Sequence, residues 1–175
     1  MIEYSTIDQF NHVLSFFTLI ADILIVIFIL LFFLNHPLLH LLKKYALILA
    51  FLVSLLATVL SLFYSEIIGY TPCVLCWIER IFIYPQTILL AVAYVKKDTR
   101  IADYSIALSV LGGGVALYHY YGQMFNESAL PCSITASCAQ RFFLEFGYIS
   151  IPMMALTSFV LLIILMSIVK YKTKN

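Results

Sequence analysis

Four cysteines carry most of the chemistry open to this chain. Cys73 and Cys76 form a Cys-Val-Leu-Cys motif, and Cys132 and Cys138 follow with five residues between them. Two short-range pairs are the natural connectivity, although four cysteines permit three pairings. Three chemistries suit such pairs. Structural disulfides are one, but a bridge that closes so small a loop removes little chain entropy. A zinc ion held by four thiolates is the second, and the spacings allow it. Thiol–disulfide exchange is the third, and a close Cys-x-x-Cys pair suits it well. Arg80 favours exchange. It lies four residues after Cys76, on the same helical face. A fixed cation beside a cysteine favours the nucleophilic thiolate. Thr71 can cap a helix whose first residue is Pro72. Both cysteines would then fall in a first turn, where unpaired N–H groups and the helix dipole stabilise negative charge. Dipole and Arg80 together mark Cys76 as the reactive thiolate.

The elements that must position these residues are membrane spans. The 175 residues are 63% hydrophobic and only 11% charged, with a mean hydropathy of +1.03. Ordinary globular chains are about 45–50% apolar and about 25% charged. The net charge of +1 gives no basic field to hold nucleic acid. High apolarity with low charge is also the opposite of the disordered signature. At roughly 20 residues per spanning helix, the length allows about five spans and no second folded domain. Five apolar runs are present, at about 13–34, 45–63, 76–95, 101–121 and 148–169. They are continuous rather than alternating, which argues for helices and against barrel strands.

Basic residues set the orientation. Lys43, Lys44, Lys96, Lys97, Arg100, Lys170, Lys172 and Lys174 all fall on one side if every run crosses, leaving only Arg80 and Arg141 opposite. The positive-inside rule makes the lysine side cytoplasmic. The N-terminus, the segment 64–72 and the loop 122–147 then face outward with all four cysteines, where disulfides are permitted. The first run reads as a retained anchor rather than a signal peptide. Its flank carries Glu3 and Asp8 instead of Lys or Arg, and its apolar stretch is long. Asp22 near its middle costs about 2.5–3.5 kcal/mol on insertion scales, which the surrounding apolar residues offset. It reads as an acid that docks on a neighbouring helix, with a proton-linked role as the alternative. Gly112-Gly113-Gly114 permits close helix approach. Pro85 should kink the third span, and Pro152 suits a first turn. Glu79 reads as a solvated or Arg-paired charge.

The stretch Pro72-Cys73-Val74-Leu75-Cys76-Trp77-Ile78-Glu79-Arg80 resembles the Cys-x-x-Cys-x-x-x-Arg signature of the DsbB family of disulfide-bond formation proteins. Leu62–Ile67, Tyr84-Pro85, His119 with Gln123, Phe146-Gly147 and Ile151-Pro152 are similar to its BdbC-like branch. The resemblance covers about residues 45–170 and makes residues 1–44 an additional N-terminal helix. It implies an all-α membrane protein, a four-helix transmembrane bundle (residues 45–175) preceded by one extra span. It further implies a thiol oxidase of the bacterial cytoplasmic membrane. Cys132 and Cys138 would accept electrons from a soluble thioredoxin-fold oxidase of the DsbA or BdbD kind. Cys73 and Cys76 would re-oxidise them and pass two electrons to a membrane quinone, ubiquinone or menaquinone. Arg80 matches the quinone-contacting arginine, His119 a histidine near the same site, and Gln123 is a further candidate for that site. No metal is implied.

Other readings remain open on the residues. A vitamin K epoxide reductase-like protein also has two cysteine pairs, but there the loop pair comes first in the chain. A reductive exchanger would run electrons outward, and the sequence does not fix the direction. A membrane scaffold stapled by two disulfides would need no chemistry.

Overall fold

Backbone groups in hydrocarbon must be satisfied within the chain, so long apolar runs cross as helices. In a computed structural model, which describes residues 4–34, 38–126, 128, 130 and 137–170, all five runs are helices long and apolar enough to span. Cys132 lies outside the described residues. The helices are α1 (Tyr4–Phe33), α2 (Leu38–Leu62), α3 (Val74–Lys96), α4 (Ile101–Phe125) and α5 (Ile151–Lys170), with a π-helical turn at Phe63–Ile67 continuing α2. The all-α fold expected from the apolar runs is the one observed.

Helix α1 begins well before Val13. The hydropathy pattern stops there because Asn11 is polar, yet Asn11 is buried and accepts a hydrogen bond from the Tyr64 hydroxyl at 2.9 Å. The partner comes from the π-helical turn, which no local pattern could supply. Lower down, Asp22 accepts from Thr157 Oγ1 at 2.7 Å and from the Tyr148 hydroxyl at 3.1 Å. The acid in the first span therefore docks α1 on α5 and on the segment leading into it.

The start of α3 differs from the expectation. Thr71 is not its cap and Pro72 is not its first residue. Cys73 is the N-cap, extended at φ −77° and ψ 176°, and its sulfur accepts the Cys76 N–H at 3.5 Å. A sulfur thus does what a Ser or Asp oxygen usually does. Helix α3 then runs through Pro85 without a break.

The core is held by close contacts and a few polar bonds. The Phe159 ring of α5 lies over Gly112 of α4, where an added Cβ would come within 2.4 Å of Phe159 Cζ. Gln86 of α3 accepts from Ser105 and Ser109 of α4 at 2.6 and 3.2 Å. Large apolar side chains such as Ile81, Ile88 and Val95 face outward, as lipid-facing residues must. The alternating chain direction puts Cys73, Cys76 and Cys138 at one end of the bundle. Lys43, Lys44, Lys96, Lys97, Arg100 and Lys170 lie at the other, where Lys170 pairs with Asp103.

The glycine triplet yields a sharp contrast. Gly112→Ala should destabilise the bundle by about 1–3 kcal/mol through overpacking against Phe159. Gly114, with nothing within 4 Å of a built Cβ, should tolerate Ala or gain a few tenths of a kcal/mol from helix propensity. Thermal unfolding of the two variants in detergent measures both, and equal effects would contradict the packing described.

Candidate active site

The helix start at Cys73 places three sulfurs together. The Cys73 and Cys76 sulfurs are 3.3 Å apart as free thiols, with Cys73 donating to Cys76. Cys73 is 5% exposed, whereas Cys76 is partly open. That donated hydrogen bond, together with burial, pushes the Cys73 thiol up to about 12. In the reduced pair the proton therefore stays on Cys73, and Cys76 is the sulfur that receives it as an acceptor. Cys138 is 1% exposed and lies against Cys73. The Leu75 and Val74 N–H groups at the head of α3 point at its sulfur, but burial dominates and pushes the thiol up to about 11.

The loop that carries Cys138 is held from several sides. Leu130 packs on α4 at Gly122, where a Cβ would meet its side chain at 2.3 Å. The Phe142 ring stacks on Tyr70 at 4.1 Å, and Tyr70 stacks on Tyr64 at 5.7 Å. Phe146 and Gly147 adopt positive φ in a tight turn closed by paired hydrogen bonds between Glu145 and Ile149. Gln123 donates its amide to the Cys138 and Gln140 carbonyls at 2.9 and 3.2 Å.

His119 of α4 sits beneath the sulfurs. Its Nδ1 faces Glu79 Oε1 at 2.9 Å, and its Nε2 faces the Cys138 carbonyl at 3.2 Å and Cys73 Sγ at 3.8 Å. The Gln123 amide nitrogen also lies 3.3 Å from Nε2. Glu79 is 6% exposed and His119 1%, so their pair is desolvated, and each group needs the other. The expectation of a solvated or Arg-paired Glu79 is corrected: three residues after Cys76, it is buried and its hydrogen-bond partner is His119. That spacing was the available signal. The partner on α4 was not visible until the helices were packed.

Arg80 is on the other side of α3. Its Nε donates to Ser61 Oγ at 2.9 Å and its Nη2 to the Ser61 carbonyl at 3.0 Å. The guanidinium lies 5.0 Å from the Trp77 ring centroid and 6.0 Å from that of Tyr84. Next to it opens a cavity of about 220 Å³ between α1, α2, α3 and α5. Cys76, Glu79, Arg80, Ser61 and Tyr64 form its polar end, and side chains such as Leu60 and Ile83 line the rest. His119 and Gln123 do not line this cavity. They line a small pocket with Cys73 and Cys138. The three residues expected to contact one cofactor are thus divided between the two faces of the Cys73–Cys76 pair.

Metal binding has a candidate set here. Cys73, Cys76 and His119 offer ligand atoms within 4.8 Å of one another. Zinc would need the Nε2 lone pair, and in this arrangement Nε2 lies between the Cys138 carbonyl oxygen and the Gln123 amide nitrogen.

Raised thiols predict the order of labelling. In the fully reduced protein at pH 8, iodoacetamide should modify Cys76 well before Cys73 or Cys138. Labelling of Cys138 should rise toward pH 11 and of Cys73 toward pH 12. Both shifts are upward from 9.0, so the stability they add to the reduced fold is complete below about pH 9 and lost as pH climbs through the folded values. Peptide mapping across this range checks the order, and early labelling of Cys73 would contradict it.

Residues 43–169 match the family of the disulfide bond formation protein DsbB. The chain is 41% identical over 121 residues to the probable disulfide formation protein C 1 of Bacillus cereus, a match covering 67% of this chain and 86% of that one. It is 35% identical over 123 residues to the disulfide bond formation protein C of Bacillus subtilis, covering 69% and 89%. A probable disulfide formation protein of Metapseudomonas resinovorans is 35% identical over 130 residues, covering 73% and 90%. No solved structure gives a significant match. The thiols packed at the head of α3 and the sequence match over most of the bundle agree: the chain belongs to the DsbB family of membrane proteins and is a thiol oxidoreductase of disulfide bond formation.

Proposed function

We propose that this chain is a thiol:quinone oxidoreductase. It re-oxidises a soluble thioredoxin-fold oxidase outside the cytoplasmic membrane of a bacterium and passes the electrons to membrane quinone. One observation supports this above the others. The Cys73–Cys76 pair separates Cys138 on one side from an apolar cavity holding Cys76 and Arg80 on the other. A relay needs that order, because one sulfur must meet the loop pair and the other the acceptor.

The partner's dithiol reduces the Cys132–Cys138 disulfide and leaves oxidised. Cys138, freed as a thiolate beside the Val74 and Leu75 N–H groups, attacks Cys73 Sγ of the Cys73–Cys76 disulfide. The Cys138–Cys73 bond forms, the Cys73–Cys76 bond breaks, and Cys76 leaves as a thiolate. Cys132 then attacks Cys138. The loop disulfide is restored and Cys73 leaves as a thiolate, which His119 at 3.8 Å can protonate or stabilise. Glu79 keeps the imidazole oriented for that step. The reduced pair is ready for the cavity.

The cavity fits a quinone ring by its chemistry. It is largely apolar along its walls, and the Arg80 guanidinium and the Glu79 carboxyl border it at the end where Cys76 opens into it. A quinone held there would supply the acceptor for the two electrons and two protons that the dithiol gives up as the Cys73–Cys76 disulfide re-forms. Cys76 is the sulfur that borders the cavity, and Arg80, fixed by Ser61 and flanked by Trp77 and Tyr84, would stabilise negative charge on an acceptor oxygen held there. His119 and Gln123 serve the sulfur side, as proton donor and loop clamp. With all three described cysteines at the end opposite the lysines, the positive-inside rule puts the site outside, the N-terminus outside and the C-terminus in the cytoplasm.

Anaerobic mixing of the purified protein with a reduced dithiol partner and a quinone tests this. Quinone should be reduced one for one with partner oxidised. Cys76→Ser should abolish it, and Arg80→Lys, which keeps the charge and loses the planar fork, should cost roughly tenfold in kcat/KM. Quinone reduction that survives Cys76→Ser would overturn the proposal, as would electron flow only from quinol to the partner's disulfide.

A further inference from the structure

The family match starts at residue 43, so α1 lies outside it. Its position is nonetheless not peripheral. Leu14, Phe17, Thr18 and Ala21 all line the large cavity. Their spacing of three, four and seven residues is that of a single helical face. Opposite them stand Ala57 and Leu60 of α2 and Ile83 of α3.

Two polar anchors bracket that face along α1, and each ends on the cavity's own wall. Asn11 bonds the Tyr64 hydroxyl, and Tyr64 lines the cavity. Asp22 accepts from Thr157, which also lines it. Tyr148 holds the second carboxyl oxygen. Both anchors are specific, because a helix bearing only apolar residues could slide or turn in lipid with little change in contact. An Asn and an Asp at these two heights fix its depth and rotation, and so fix which residues face the cavity.

We propose that α1 is a working wall of the quinone-binding cavity: its Leu14–Ala21 face closes the site against lipid and sets how tightly the quinone ring is held, with Asn11 and Asp22 as the residues that position it. This rests on the quinone reading of the cavity. The ligand it implies is a lipid quinone whose ring is enclosed between α1 and α2, with Arg80 at one end. Without α1 the same ring would lie open to acyl chains on that side and would compete with them for the Ala57 and Ile83 surface. The extra helix thereby belongs to the acceptor half of the reaction. Its contacts with the exchange half are indirect: His12 meets Glu145 at 3.1 Å and Asn11 holds Tyr64, while Cys73, Cys138 and His119 themselves meet α3, α4 and the loop.

Matched cavity-filling variants of the full chain in detergent test this. Ala21→Trp fills the cavity from α1 and Ala57→Trp fills it from α2. The readouts are KM and kcat for a short-chain naphthoquinone with dithiothreitol as donor, and the quinone-free rate at which dithiothreitol reduces the protein. Ala21→Trp should raise the quinone KM by roughly tenfold or more while leaving the exchange rate within about twofold. Asp22→Leu should act in the same direction, and Asp22→Asn, which keeps an oxygen acceptor for Thr157, should recover most of the affinity. If Ala57→Trp raises KM and Ala21→Trp does not, the α1 wall is overturned and the quinone cavity stands. If neither variant changes quinone reduction, the cavity reading itself fails and takes the proposal with it. Should Ala21→Trp lose its exchange rate, and so its fold, photolabelling of the wild type with an azido-naphthoquinone decides. Label in the peptide 14–21 supports the wall, and label confined to α2 and α3 overturns it.

Discussion

The Glu79–His119 bond is the constraint on which the site depends. Two ionisable groups are buried together, and neither could be held there alone without a large desolvation cost. Their contact joins α3 to α4 directly below the sulfurs. It orients the imidazole so that the other ring nitrogen meets both the Cys138 carbonyl and Cys73. One interaction thereby sets the height of the loop, the position of the exchanging sulfur and the location of the nearest mobile proton. The remaining contacts around it, from Gln123 to the Tyr70–Phe142 stack, keep the loop where that bond requires it.

Division of labour across α3 follows from helical geometry. Cys73 ends the extended segment and turns toward α4, while Cys76 and Arg80 share a face toward α2 and the cavity. Three residues of separation suffice to put two sulfurs within bonding reach and still give them different surroundings. One is buried among protein groups that hold its proton, and the other borders an apolar space.

The sequence made part of this readable. Continuous apolar runs defined five spans because hydrophobic length is a one-dimensional property. The Cys-x-x-Cys and Arg80 relation was readable because it lies within one helix, where spacing determines facing. Arg80 could be connected to Cys76 for this reason, and Glu79 could have been. The cap at Cys73 escaped because Thr71 and Pro72 satisfy the usual preferences, and only the observed backbone puts a sulfur in that role. His119 and Gln123 were found by resemblance, but which side of the pair they serve depends on how α4 packs against α3. The early start of α1 was hidden for a related reason: Asn11 and Ser15 are buried polar residues, and a hydropathy scale cannot know that a tyrosine from another helix supplies a partner.

The sulfur that begins α3 has a consequence for the helix as well as for the chemistry. A cap is normally an inert fitting, chosen once and left alone. In the exchange proposed for this site it is an atom that changes its bonding partner with every turnover, from a neighbouring sulfur to a loop sulfur to a proton. The first turn of α3 therefore has no constant anchor, and its rigidity must come from lower down, where Gln86 is gripped by two serines and Arg80 by Ser61. A transmembrane rod clamped at mid-depth leaves its tip free to follow the sulfur.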